Sequence, residues 1–358
     1  MDPAGALTVD RIQRAQAGGD VFAVAWQGDD ALFASGERTL FRLAAGGSGC
    51  HQLVHDGAIL AIASAGGHVL TGGSDGCAVL TSPNDATRFA PDDRRHRWVD
   101  TVAVSATGDA AWAAGRRVTV RRAARVHRLD LPSAVTGLSF VGATGRLSVT
   151  HGKAVSLWSL DEADGKAREI GHLDHYGAYA SPTPSPDGAL LAVALYERSL
   201  LLWRLADGAT MPLGGYSQRV RSAGWTADGR FLASAGASRL VLWPTPDPDS
   251  PMFSVPVLLA PWREVVTRVS CHPAAGIVAV GYADGLTLLI RLPDGAEIPV
   301  RSPTGAAVSA LAWNDNGRML AIGTNDGDCR LLSFGLEPER GAGAVGSSNH
   351  VTAPAGAA

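Results

Sequence analysis

Apolar and polar positions along this chain alternate in short blocks rather than in long helical stripes. The runs VFAVAW, AILAIAS, VDTVAVS, AVTGLSF, VRSAGW, VTRVSCH and VSALAW each lead into a turn. Each turn is followed by a second apolar run: ALFASG, HVLTGG, DAAWAAG, RLSVTHG, ALLAVAL, FLASAG, IVAVGY or MLAIGT. After another short break comes a third run, such as TLFRL, AVSLWSL, SLLLWRL, RLVLWPT or LTLLIRL. Blocks this short, rich in Val, Leu and Ile and bounded by Gly, Asp and Asn, predict β-strands, and the spacing leaves no room for helices.

The turns set a period. Aligning GDD (28–30), AGG (65–67), ATG (106–108), ATG (143–145), PDG (186–188), ADG (227–229), AAG (274–276) and DNG (315–317) gives steps of 37 to 47 residues, repeated through eight units. A weaker fourth strand follows each third one, as in CHQLVH, RVHRLDL, AREIGHL, TMPLGG, FSVPVLL and EIPVR. Each unit therefore predicts a four-stranded antiparallel meander too small to bury its own apolar faces, so neighbours must stack.

These units resemble the WD-repeat family of β-propellers over about residues 7–334. The resemblance implies an all-β, closed propeller with eight predicted blades, seven being the alternative. The last unit ends at Leu332–Phe334 without its own fourth strand, so ALTVDRI (6–12) is expected to fill that place and close the ring. Residues 1–335 would form the propeller, and 336–358, nearly devoid of large apolar groups, a disordered tail.

The family signature combines a Gly-His pair, an Asp in the turn between second and third strands, and a Trp-Asp pair ending the third strand. Here Trp-Asp is missing; third-strand Trp occurs at Trp158, Trp203 and Trp243, while the turn Asp occurs at Asp75, Asp284 and Asp326, in different units. The nearest approach to a full set is His175 (or His172), Glu197 and Trp203, with a His175–Glu197 hydrogen bond as the expected structural contact.

Seven of the nine Trp fall on strands and are expected in the core; Trp98 and Trp262 sit at the approach to a first strand. In the family, the face carrying those loops is the usual docking surface. The candidate protein-binding residues are therefore Trp98, His151, His175, Tyr176, Glu197, Tyr216, Trp262 and Arg263. The alternative for the two Trp is that they anchor loops over their own blades.

Charge adds a second candidate. The chain carries a formal net charge of −3, yet Arg94, Arg95, Arg97, Arg116, Arg117, Arg121, Arg122, Arg125 and Arg128 crowd one unit. That patch would suit an acidic protein surface, or guard a sheet edge against strand addition. Nucleic acid is disfavoured, since no stacking aromatics interleave the Arg.

Metal and catalysis have little support. Cys50-His51 with His55, His172-x-x-His175 and Cys271-His272 lie in different units and lack zinc-site spacing. Only Arg221, Arg268 and Asp100 interrupt the small, neutral residues of the channel-lining strands, and neither a nucleophile elbow nor a phosphate loop occurs. No cofactor is implied. The four Cys form no CxxC pair, and no secretory or membrane-spanning run is visible, which points to a cytoplasmic protein; the preference for Arg over Lys resembles a bacterial coding bias. The expectation is a non-catalytic scaffold for a protein or peptide partner, without membrane contact. The alternative is a metal- or small-ligand-binding or hydrolytic propeller using His and Cys at the channel mouth.

Overall fold

A computed structural model describes residues 7–336, apart from 83–84, 91–96, 143, 162–164, 175–178, 247–251, 253 and 293. The expected tail, His175, Tyr176, Arg94 and Arg95 lie outside the described residues.

The described residues form eight four-stranded antiparallel sheets and no helix. Seven sheets run in simple chain order: blades 1 to 7 occupy 23–53, 59–89, 99–130, 135–174, 179–213, 223–259 and 266–301. Blade 8 takes its first three strands from 308–336 and its outer strand from Leu7–Gln16. That outer strand pairs with Asp328–Leu336 from Gln16↔Asp328 to Leu7↔Leu336. Both ends of the repeat array thus share one sheet, and the ring has eight blades rather than seven.

Burial follows the strand order. The second strands of blades 7 and 8, IVAVGY and MLAIGT, are buried at every position, whereas the fourth strands of blades 1 and 4, GCHQL and REIGHLD, are mostly exposed. The third strands read LVLWP or TLLIR, nearly all buried. Apolar side chains of adjacent sheets interdigitate; Leu289 and Ile322, from blades 7 and 8, belong to one cluster. Burying such side chains is worth roughly 1.5–3 kcal/mol each, so inter-blade packing dominates the stability of the ring.

Blades approach closely at glycines on their second strands. A Cβ on Gly281 would meet Val308 Cγ1 at 2.5 Å, and one on Gly323 would meet Val21 Cγ1 at 2.6 Å. Joints are also sealed by tryptophans ending first strands. Trp225 Nε1 donates to Thr183 O at 3.0 Å, Trp313 Nε1 to Ser270 O at 3.2 Å, and Trp26 Nε1 to Ala312 O at 3.2 Å. The third of these bridges the seam between blades 1 and 8.

Candidate functional site: the loop face and the channel mouth

Two kinds of connection emerge on one face: the loops from fourth to next first strands, and the turns from second to third strands. In several blades a side chain from the loop reaches the turn or the second strand and clamps it. In blade 2 His55 Nδ1 lies 3.0 Å from Asp75 Oδ1, and its Nε2 lies 2.9 Å from Thr71 Oγ1. Asp75 also accepts the backbone N–H of Asp56 and of Cys77, each at 3.0 Å. Burial works to raise the Asp75 pKa, but these hydrogen bonds outweigh it and hold the carboxyl low. Burial lowers the His55 pKa despite Asp75, so a neutral imidazole donates to a carboxylate.

Other blades do the same job with other chemistry. In blade 6 Tyr216 Oη lies 2.7 Å from Ser234 Oγ and accepts from Trp243 Nε1 at 2.7 Å. In blade 7 Trp262 Nε1 donates to Asp284 Oδ2 at 2.9 Å, and the carboxylate also accepts the Leu286 N–H. At blade 8 the buried Arg301 reaches Thr304 Oγ1 at 2.9 Å and Asp328 Oδ2 at 3.1 Å.

These contacts correct part of the expected docking set. Tyr216 is only 8% exposed and His151 is buried, with Nδ1 3.4 Å from Ser133 Oγ. Both are fabric of their blades rather than available contacts. Among the described residues the closest approach to the family's clamp is His55, Thr71 and Asp75; the expected His175–Glu197 contact involves a residue outside them. Glu197 is exposed in its turn, and Trp203 is buried.

Trp98 and Trp262 remain on the surface, 62% and 37% exposed. Trp262 is both a loop anchor, through Asp284, and a partly open ring. Arg263 lies over it, 5.8 Å from the ring centroid, and 3.5 Å from Asp284 Oδ2. The other seven Trp are buried or half-buried.

Among the described residues the Arg-rich blade does not present one continuous patch. Arg117 faces Asp130 across the strand pair and bonds it at 2.9 Å. Arg122 pairs with Asp109 at 3.3 Å and with Asp161 of blade 4 at 2.5 Å, tying two blades together. Arg121 stacks over Phe89 at 5.2 Å, and Phe89 stacks on Trp112 at 4.7 Å. Arg121 and Arg128 line a groove with these rings, while Arg116 and Arg125 are exposed and Arg97 half-buried.

Among the described residues no three or more His, Cys, Asp or Glu side chains come together to hold a metal. His172 is held by Glu169 and Asp174, and His272 bonds Gly317 O at 3.0 Å. Cys271, half-buried with its Sγ 3.4 Å from Gly224 O, has its thiol pushed up to about 12 by desolvation.

A cavity of about 310 Å³ opens at the channel mouth, where blades 6, 7 and 8 meet. Arg219, Arg221 and Arg268 border it, with Gln218, Thr267 and Ser309. In the first strand of blade 7 the register shifts between Val266 and Arg268, a bulge at Thr267 that re-aims the following side chain. The hydroxyl of Thr267 is used up on Val308 O at 2.6 Å, across the blade joint. Arg268 is half-buried and donates to Thr267 O at 2.9 Å. Burial, then the charge of Arg221, lower its pKa. Arg219 lies over the Tyr196 ring, 4.7 Å from its centroid. Sequence reading marked Arg221 and Arg268 as charged exceptions but did not bring Arg219 to them.

With this geometry in hand, the chain can be set beside known proteins. The profile of the anaphase-promoting complex subunit 4 WD40 domain matches residues 269–336, which span most of blades 7 and 8. The human angio-associated migratory cell protein is 27% identical over 132 residues, 36% of this chain and 29% of that protein. The human F-box-like/WD repeat-containing protein TBL1Y is 25% identical over 181 residues, 46% of this chain and 32% of that protein. Together these matches support a WD40-repeat family for the chain. The chain is also similar to centriole proteome protein 16 of Chlamydomonas reinhardtii, 39% identical over 59 residues, 16% of the chain and 3% of that protein. The matches thus cover about a third or less of each of these relatives' own length.

Proposed function

We propose that this WD40 propeller is a non-catalytic interaction scaffold that holds a protein or peptide partner across its loop face, beside the channel mouth. The observation that carries this is the placing of its tryptophans. Seven are packed against their own or adjacent blades, and the two left open, Trp98 and Trp262, both stand on loops of that face. Trp and Arg are the residues that most often dominate binding energy, because they offer large contact area with modest entropy loss. Trp262 is pre-ordered by Asp284 and flanked by Arg263, so little freedom remains to be lost on docking. One similar protein is named for its WD repeats and the matching domain profile is a WD40 domain, and propellers of that kind generally serve as platforms for protein partners, which supports the same reading. The four free thiols suit a reducing compartment such as the cytoplasm.

The test is affinity capture from the native cell with the wild-type chain and a Trp98→Ala/Trp262→Ala variant. Loss of a specific partner by the variant supports the loop face as the docking surface. A partner retained in full, by a variant whose Tm is near that of the wild type, contradicts it.

A further inference from the structure

We propose that a groove on the rim of the ring, between blades 7 and 8, binds a small phosphate group, and that the bound anion clamps the strand that closes the ring. The groove lies between outer strands, away from the channel mouth and from the docking residues above.

The groove, a cavity of about 400 Å³, is bordered by Arg14 on the outer strand of blade 8 and Arg330 on its third strand. From blade 7 it is bordered by Arg301, at the end of the outer strand, and by Ser302 and Thr304 just beyond. Register brings the first two cations together: Arg14 lies directly opposite Arg330 in the pairing that closes the ring. Facing residues of antiparallel strands project from the same side of the sheet, and like charges placed so destabilise the pair. A shared oxygen brings in the third cation. Asp328 Oδ2 accepts from Arg330 Nε at 2.8 Å and from Arg301 at 3.1 Å. Two guanidinium groups therefore meet at one carboxylate, and the third side chain starts opposite one of them and borders the same cavity. Asp326, the next carboxylate along the chain, accepts the Thr324 hydroxyl and the Asp328 N–H. Even with its charge counted, the groove stays positive.

The donors left unused point to the ligand. Among the described residues Arg14 makes no hydrogen bond or ion pair, and Arg330 engages only its Nε, so both its terminal nitrogens stay unbonded. Arg301, with 1% of its side chain exposed, holds Gly285 O at 2.5 Å, Thr304 Oγ1 at 2.9 Å and Asp328, yet its Nε is buried without a partner. Thr304 accepts from Arg301, which leaves its own O–H to donate. A carboxylate ligand brings one charge and two acceptor oxygens; a phosphate monoester brings about −1.5 to −2 near neutral pH and three. Three Arg sharing one carboxylate match the second, since the planar Arg fork suits phosphate oxygens. Pro299 and Val300 are the apolar residues at the border, and no aromatic ring lines the cavity to stack a base, which favours a small phosphate group over a nucleotide.

Such an anion would tie Arg14, on the chain's first strand, to Arg330 and to blade 7, and would relieve the repulsion between the facing pair. Closure of the ring then responds to the concentration of the anion, as any folded-state ligand stabilises the state it binds.

The experiment measures binding of inorganic phosphate to the full chain by titration calorimetry in chloride buffer, and Tm with and without phosphate at matched ionic strength. Saturable binding is expected, with a gain in Tm of about 2 °C at saturation. Arg14→Gln, at an exposed position, is expected to bind about tenfold more weakly and to lose most of that gain. Arg318→Gln, on an exposed turn between the first and second strands of blade 8, should keep both. If Arg14→Gln fails to fold, Arg330→Gln decides by the same readings. A gain in Tm of equal size in the wild type and Arg14→Gln would mark a general ion effect and overturn the proposal. Wild-type affinity in Arg14→Gln, or no saturable binding, would overturn it as well. Sedimentation with phosphatidylcholine vesicles, with and without phosphatidic acid, distinguishes the sources of the group. Pelleting by phosphatidic acid that free phosphate competes away assigns a lipid-borne phosphate, and calorimetric binding without pelleting assigns a soluble one.

Discussion

The indole of Trp26 donates to the carbonyl of Ala312 at 3.2 Å, joining the first blade to the last. The contact repeats what Trp225 does to Thr183 and Trp313 to Ser270 at interior joints. Below it, Asn314 Nδ2 donates to Asp29 Oδ1 at 3.1 Å, again across the seam. The closing joint is therefore built like the others.

That equivalence predicts equal costs. Trp26→Phe, Trp225→Phe and Trp313→Phe each remove one hydrogen bond and leave a partly buried carbonyl unpaired, worth about 1 kcal/mol. Urea unfolding should show similar losses for all three. A neutral Trp26→Phe beside two destabilising interior variants would show that the seam is not closed.

Tyr216 and Trp262 should separate stability from binding. Tyr216→Phe leaves the buried Trp243 indole N–H without its acceptor, at a cost of about 1–3 kcal/mol. Its capture of a partner should stay intact. Trp262→Ala is expected to abolish capture and leave the propeller folded. The paired measurement is thermal unfolding and affinity capture on both variants.

Acid should weaken the fold before it unfolds it. Burial is the leading cause of a lowered pKa at His55, His127, His151 and His272. Unfolded histidines titrate near 6.5, so below that pH the unfolded chain binds more protons than the folded one. Their contribution is present above about pH 6.5 and is lost as pH falls through the lowered folded values. His172 has the opposite sign, because its hydrogen bond to Glu169 raises its pKa. With four groups against one, the urea midpoint should fall between pH 7.5 and 5.5. His55→Gln should lower it at pH 7.5 and flatten the slope; a midpoint independent of pH would contradict this account.

The repeat was legible because each blade must bury two faces, which forces the same apolar rhythm eight times. A fourth strand was expected in blade 2, but its segment, DATRF, does not stand out, since its residues are half-buried or exposed and the rhythm fades there. The His55 clamp escaped notice because it has no third-strand Trp beside it and its His follows Val54 rather than Gly. Tyr216 sits among Gly, Ser and Gln, a setting that reads as exposed loop, yet its ring turns inward to reach Ser234 and Trp243. Arg219 and Arg221 come from one loop and Arg268 from a strand of the next blade, and only the packing of successive blades sets them around one opening.

Closure of the ring is tested most directly by a cross-link between the chain's ends. Ala15 lies opposite Cys329 in the pairing of the outer strand, and both contribute to one apolar cluster. Facing residues of antiparallel strands bring their Cβ atoms close enough for a disulfide. Ala15→Cys, combined with Cys50→Ser to remove the exposed native thiol, should oxidise in the folded protein to a bond joining positions 15 and 329, seen by peptide mass mapping. A folded, oxidised sample in which Cys329 remains a free thiol would contradict it.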